Sequence, residues 1–160
     1  MIMGVVYTLS INNFQNIKDA KIQITLKNLK KSLQNIEHSD SVELICLNKC
    51  QSCKVYVDGA LHVEDNRYDE FLDDSVEVYR YDFSYGFMEA KRKVFFNEDD
   101  VEKDVCFSLM LDKKGVSDQV AVLFKNKVYD FSSYIDDTKT YASLQELSDA
   151  KSTLTQEVIK

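Results

Sequence analysis

Cys46, Cys50 and Cys53 form a C-x3-C-x2-C run, and His62 follows nine positions later. Thiolates with an imidazole are the ligands zinc prefers, and Cys50 and Cys53 have the spacing of a zinc knuckle. A structural zinc site usually pairs two knuckles, and here there is one. Cys46 and Cys106 lie in apolar runs, where a cysteine commonly serves as a small buried hydrophobe. No metal and no cofactor are therefore expected, with Cys46, Cys50, Cys53 and His62 as the set that would hold zinc. Redox work by Cys50 and Cys53 lacks a following helix N-terminus to lower a thiol pKa. His62-Val63-Glu64 matches the H-x-E of zinc deaminases but follows the C-x-x-C instead of preceding it, which excludes that chemistry. The other histidine, His38, falls in a polar helix-to-strand loop. No Ser or Cys has a base near it in sequence, so the reading leans away from an enzyme.

Carboxylates are the most abundant chemical resource. Residues 1–36 carry a net charge of +4, residues 37–104 a net of −10, and the rest are near balance, within a total of −7. Such a surface repels phosphate backbones, so no nucleic-acid partner is expected. Two acidic segments stand out, residues 64–74 and 98–104. Neither has the glycine or closing glutamate of an EF-hand loop. Their expected use is either as a solvated, solubilising surface or as a docking surface for a basic protein. The partner-binding set is Asp65, Asp69, Glu70, Asp73, Asp74, Glu98, Asp99 and Asp100, with aromatic anchors among Tyr68, Phe71, Tyr79, Tyr81 and Tyr85.

Elements must position these groups. Residues 5–11 read as a buried strand, ended by Asn12, Asn13 and Asn16. Ile22, Leu26, Leu29, Leu33 and Ile36 mark one helix face, with Lys27, Lys30 and Lys31 toward water. Residues 42–47 form a strand, and residues 54–63 a hairpin turning at Asp58-Gly59, the type I′ dipeptide. Residues 64–74 read as an acidic loop with a turn of helix around Tyr68, Phe71 and Leu72. Residues 76–83 form a strand. Residues 84–96 fit a helix capped by Ser84 better than a hairpin turning at Tyr85-Gly86, because Met-Glu-Ala-Lys-Arg-Lys favours helix. Strands follow at 105–111 and 119–124, then a turn at Lys125-Asn126-Lys127 and a strand at 128–131. Ser143 and Glu146 form a capping box ahead of a last helix, whose apolar face Lys151 interrupts.

This order also looks like the start of a GT-A glycosyltransferase: strand, helix, strand, a later strand, a helix over 87–96, then strand 105–111 ending in Asp112. In that family an Asp-x-Asp after the strand holds the divalent cation of a sugar nucleotide. Here Asp112 matches the first Asp and Lys114 stands in place of the second. The resemblance implies a nucleotide-sugar site at Asp112.

The expectation is one α+β domain over residues 1–160, with a mixed or antiparallel sheet, β-hairpins, a helix in the N-terminal half and a C-terminal helix. The opening MIMGVVYTLSI lacks a basic n-region and a cleavage site, and no run is long enough to span a bilayer. Four cysteines do not make a secreted scaffold of this size, so reduced thiols, a cytoplasmic location and no membrane partner are expected. The leading function is a small inhibitor that occludes a basic protein, in the manner of immunity proteins or phage and viral anti-host factors. The alternatives are the glycosyltransferase-like or degenerate nucleotide-sugar-binding domain and a structural subunit of a larger assembly.

Overall fold

Thr25, extended at φ −137°, opens the first helix, α1 (Leu26–Gln34). Asn28 Oδ1 accepts the Thr25 backbone N–H at 2.8 Å, satisfying a donor that the helix start leaves free. The structure, a computed structural model, describes residues 22–62, 66–134 and 137–158. The strand expected over 5–11, with Asn12, Asn13 and Asn16, lies outside the described residues. α1 buries Leu26, Leu29 and Leu33 as its spacing predicts. Two residues depart from expectation. Ile22 precedes the helix and is 74% exposed, while Lys30 is buried because its ammonium donates to the Ser133 carbonyl.

Eleven strands follow among the described residues. β1 (Ser41–Leu47), β2 (Ser52–Val57) and β3 (Ala60–Leu61) are succeeded by a 3-10 turn at Asn66–Tyr68. Then come β4 (Glu77–Asp82), β5 (Gly86–Glu89), β6 (Val94–Phe96), β7 (Glu102–Asp104) and β8 (Phe107–Asp112). β9 (Ala121–Phe124), β10 (Lys127–Asp130), β11 (Lys139–Tyr141) and α2 (Leu144–Val158) are the last of the described elements. They form a four-stranded sheet β3-β2-β1-β8, a five-stranded sheet β11-β10-β9-β4-β5 and the two-stranded hairpin β6-β7. Every strand pairing is antiparallel. The α+β class is as expected, with one helix in the N-terminal half and one at the C-terminal end.

Both tight hairpins turn where turn chemistry predicts. Asp58 and Gly59 have φ +49° and +83°, and Lys125 and Asn126 have +49° and +60°. Positive φ at both central residues matches the twist of the flanking strands.

Residues 84–96 are a correction: they form β5 and β6, not a helix. Gly86, at φ +77°, closes the β4–β5 turn. Phe87 sits opposite Tyr81 with ring centroids 5.1 Å apart, so cross-strand aromatic packing overrides the local helix preference of 88–93. With no helix there, and with β1 antiparallel to β8, the element order behind the glycosyltransferase resemblance is not built.

The main core lies between the two large sheets. Val42, Leu44, Leu109 and Leu111 from one meet Val122 and Phe124 from the other, with Leu29 and Leu33 of α1 joining them. Ala121 and Val128 face the opposite side of the five-stranded sheet and pack on Leu147 of α2. Strand alternation produces this: Val122 and Phe124 turn one way, Ala121 and Leu123 the other.

Candidate functional site

The cysteines do not form a metal site. Cys46 lies directly opposite Cys53 across β1 and β2, with Cα atoms 4.0 Å apart, and the two are disulfide-bonded. Cys50 sits in the intervening turn, where Asn48, Lys49 and Cys50 all have positive φ, and bonds Cys106 just before β8. No described cysteine is free. This corrects both the zinc reading and the expectation of reduced thiols, because a sulfur in a disulfide is not a thiolate ligand. His62 is exposed at the end of β3, away from any cluster. Among the described residues, no three His, Cys, Asp or Glu gather to hold a metal.

The first acidic segment is partly structural. Asp65 lies outside the described residues. Tyr68 is buried and its hydroxyl meets Ser32 Oγ of α1 at 2.9 Å. Asp69 Oδ1 accepts the Cys53 N–H at 2.8 Å, and the Glu70 N–H reaches the Gln51 carbonyl. Asp73 accepts both the hydroxyl and N–H of Ser75, and these hydrogen bonds hold its carboxyl below the usual carboxylate range. The segment thus seals the edge of β2 beside α1, leaving Glu70, Asp73 and Asp74 exposed.

The second acidic segment is a projecting hairpin. Asn97 organises the turn between β6 and β7: its side-chain oxygen accepts the N–H groups of Asp99 and Val101 at 3.1 and 2.8 Å. Its carbonyl accepts the Asp100 N–H at 3.0 Å. Because Asn97 supplies these bonds, the carboxylates of Glu98, Asp99 and Asp100 have no hydrogen bond or ion pair among the described residues, and all three are exposed. Glu102 and Asp104 of β7 are exposed too. Val94, Phe96 and Val101 leave apolar surface among these charges.

The hairpin is anchored from beneath. Phe95 packs on Tyr56 of β2 with centroids 5.6 Å apart. Lys93, at its base, bonds Glu43 of β1 at 3.1 Å and lies 4.0 Å from Asp118. Burial raises the Tyr56 phenol pKa, and the charges of Glu98 and Glu43 add to the rise. Glu43 and Tyr56 face opposite to Leu44 and Val55, which enter the core. The two acidic segments therefore sit on opposite sides of the four-stranded sheet, and the structure does not join them into one belt.

Asp112 is engaged locally. Its Oδ1 accepts the N–H groups of Val116 and Lys114 at 3.0 and 2.8 Å, and these bonds, the Val116 one foremost, lower its pKa. The proposed anchors divide. Tyr68 is core, and Tyr79 donates to Glu77, which pushes its phenol up to about 12, helped by burial and by Glu89. Tyr81 packs on Phe83 and Phe87, and Tyr85 is 81% exposed. Sequence reasoning missed Phe83, 85% exposed beside Tyr85, together with the apolar surface of the acidic hairpin. The readable signal was the apolar run Val94-Phe95-Phe96 set against the acidic turn Glu98-Asp99-Asp100, with Val101 between Asp100 and Glu102, once 94–104 is taken as a hairpin.

The chain matches no protein-family model, no curated protein and no solved structure.

Proposed function

We propose that this is a small acidic binding protein that inhibits a basic protein by laying the β6–β7 hairpin over its cationic site. One observation carries the reading. A hairpin fixed to the sheet by Phe95 and Lys93 presents Glu98, Asp99 and Asp100 with no partner among the described residues, around exposed Val94, Phe96 and Val101. Preorganised charge steers a basic partner, and central apolar contacts retain it. Glu70 and Asp74, on the far side of the sheet, are outside this interface.

Occlusion of this kind is the mode of immunity proteins and anti-host factors, an analogy of mechanism and not of ancestry. The two disulfides argue for a partner met in an oxidising compartment, in place of the cytoplasm expected from reduced thiols. No described helix is long and apolar enough to cross a membrane.

Capture from native cells with the tagged protein tests the proposal. A stoichiometric basic protein should bind at low salt and leave as ionic strength rises. A partner that is acidic, or that is retained unchanged at high salt, would overturn it.

A further inference from the structure

Arginine follows a basic residue at a single place in this sequence, Lys91-Arg92; the other two arginines follow Asn66 and Tyr79. That pair falls in the connection 90–93 between β5 and β6, which has no regular secondary structure. Lys91 and Arg92 are exposed, and neither makes a hydrogen bond or ion pair with a described residue through backbone or side chain. The connection is tied at its two ends. The Ala90 N–H bonds the Val78 carbonyl at 2.8 Å, and Lys93 bonds Glu43 at 3.1 Å. Beyond it, the β6–β7 hairpin is a sheet of its own, so lifting this stretch breaks no strand pairing of either large sheet. A protease cleft takes its substrate extended, with backbone groups free to pair. Exposed connections of this kind open at low free energy and are where proteolytic nicking concentrates.

A cut here does not part the two sides. Cys46, Cys50 and Cys53 precede it and Cys106 follows, so the Cys50–Cys106 disulfide spans it covalently. The β1–β8 and β4–β9 pairings span it as well. The lysine pairs elsewhere lack the required arginine: Lys30-Lys31 lies inside α1, with Lys30 buried, and Lys113-Lys114 follows β8. A carboxylate-lined pocket shaped for the planar guanidinium fork discriminates against them.

We propose that the Arg92–Lys93 bond is a processing site for a dibasic-specific endoprotease of the subtilisin class, and that the processed form is a two-chain protein held by Cys50–Cys106. Water adds across the peptide bond, leaving a carboxylate on Arg92 and an ammonium on Lys93. The inference rests on the oxidising compartment for which the two disulfides argue, and not on the partner of the acidic hairpin.

Denaturing gels with and without reductant, followed by N-terminal sequencing, test the proposal on protein isolated from native cells. The expected result is one band without reductant and two with it, one of them beginning at Lys93. A chain intact at this bond, or pieces that separate without reductant, would overturn the proposal. In parallel, the intact disulfide-bonded protein and its R92Q variant are digested with a Lys-Arg-specific subtilisin-type endoprotease, matching circular dichroism showing that the fold is kept. The unmodified protein should be cut once, after Arg92, and the variant left whole over the same time course. A folded protein that resists while its urea-unfolded form is cut, or a variant cut as fast as the unmodified protein, would contradict it.

Discussion

Asp58 shows how much one side chain does here. The sequence marks it as a turn residue, and its backbone turns accordingly. Its carboxylate also accepts the N–H groups of Ser39, Asp40 and Ser41, tying the β2–β3 turn to the entry of β1. Those hydrogen bonds, led by the one from Asp40, lower its pKa from 3.8. The stability it confers is therefore complete above that ordinary value and is lost as pH falls through the lowered folded one. Asp58→Ala should lower the melting temperature at pH 7, and the difference from the unmodified protein should shrink as thermal melts are taken toward pH 2. His38 works in the opposite sense. Its ring nitrogens lie 2.7 Å from the Ile36 carbonyl and 3.1 Å from the Asp112 carbonyl, so both bonds need the doubly protonated ring. Its pKa is raised above 6.5, first by the Ile36 bond and then by the Asp112 bond. Its contribution is full below pH 6.5 and disappears as pH rises through the folded value. NMR titration of the ring should give a midpoint above that of a free histidine, and a midpoint below 6.5 would contradict this account. Neither role was legible in sequence, since a carbonyl 74 residues away leaves no local pattern.

At the scale of elements, local rules succeeded where one turn or one cap decides the structure. Ser143 caps α2 through its hydroxyl, 3.1 Å from the Glu146 N–H, while Glu146 reaches back to the Ala142 N–H at 2.6 Å. They failed at 84–96, where helix propensity was set against a positive-φ glycine and a cross-strand aromatic pair. They also left Lys151 as an interruption of the α2 apolar face. The structure gives it a partner set: Nζ lies 2.6 Å from Ser132 Oγ and 3.6 Å from Asp130, and Ser132 in turn bonds Asp130 at 2.5 Å. Asp130 is 8% exposed, so removing the ammonium leaves a largely buried carboxylate without its counter-charge. Lys151→Ala should therefore destabilise the protein by about 1.5–3 kcal/mol in urea unfolding, the range for hydrogen bonds to charged groups. A loss near zero would mean that α2 docks through Leu147 alone.

At the scale of the whole molecule, the even cysteine count was visible, but the pairing was not. Cys46 opposes Cys53 only once β1 and β2 are known to be joined by the tight turn at 48–51, and Cys50 meets Cys106 only through the β1–β8 pairing. Sequence separations of 7 and 56 residues give the two bridges unequal entropic weight. By loop closure, the Cys50–Cys106 bridge contributes about 4 kcal/mol and the Cys46–Cys53 bridge about 2.5 kcal/mol. The urea midpoint should fall further in Cys50→Ala/Cys106→Ala than in Cys46→Ala/Cys53→Ala, and reductant should lower it in the unmodified protein. The concentration of negative charge in residues 37–104 was plain from sequence. Its division was not, because Tyr68 and Leu72 anchor residues 66–74 in the core on one side of the four-stranded sheet, while Phe95 packs on Tyr56 and holds residues 94–104 on the other. The central claim is that the outer hairpin alone is the docking element. Its most direct test is quantitative capture from native cells with the unmodified protein, the hairpin variant E98Q/D99N/D100N and the loop variant E70Q/D74N, side by side at low salt. The account predicts that the basic partner is lost with the hairpin variant and retained with the loop variant; retention by the hairpin variant would contradict it.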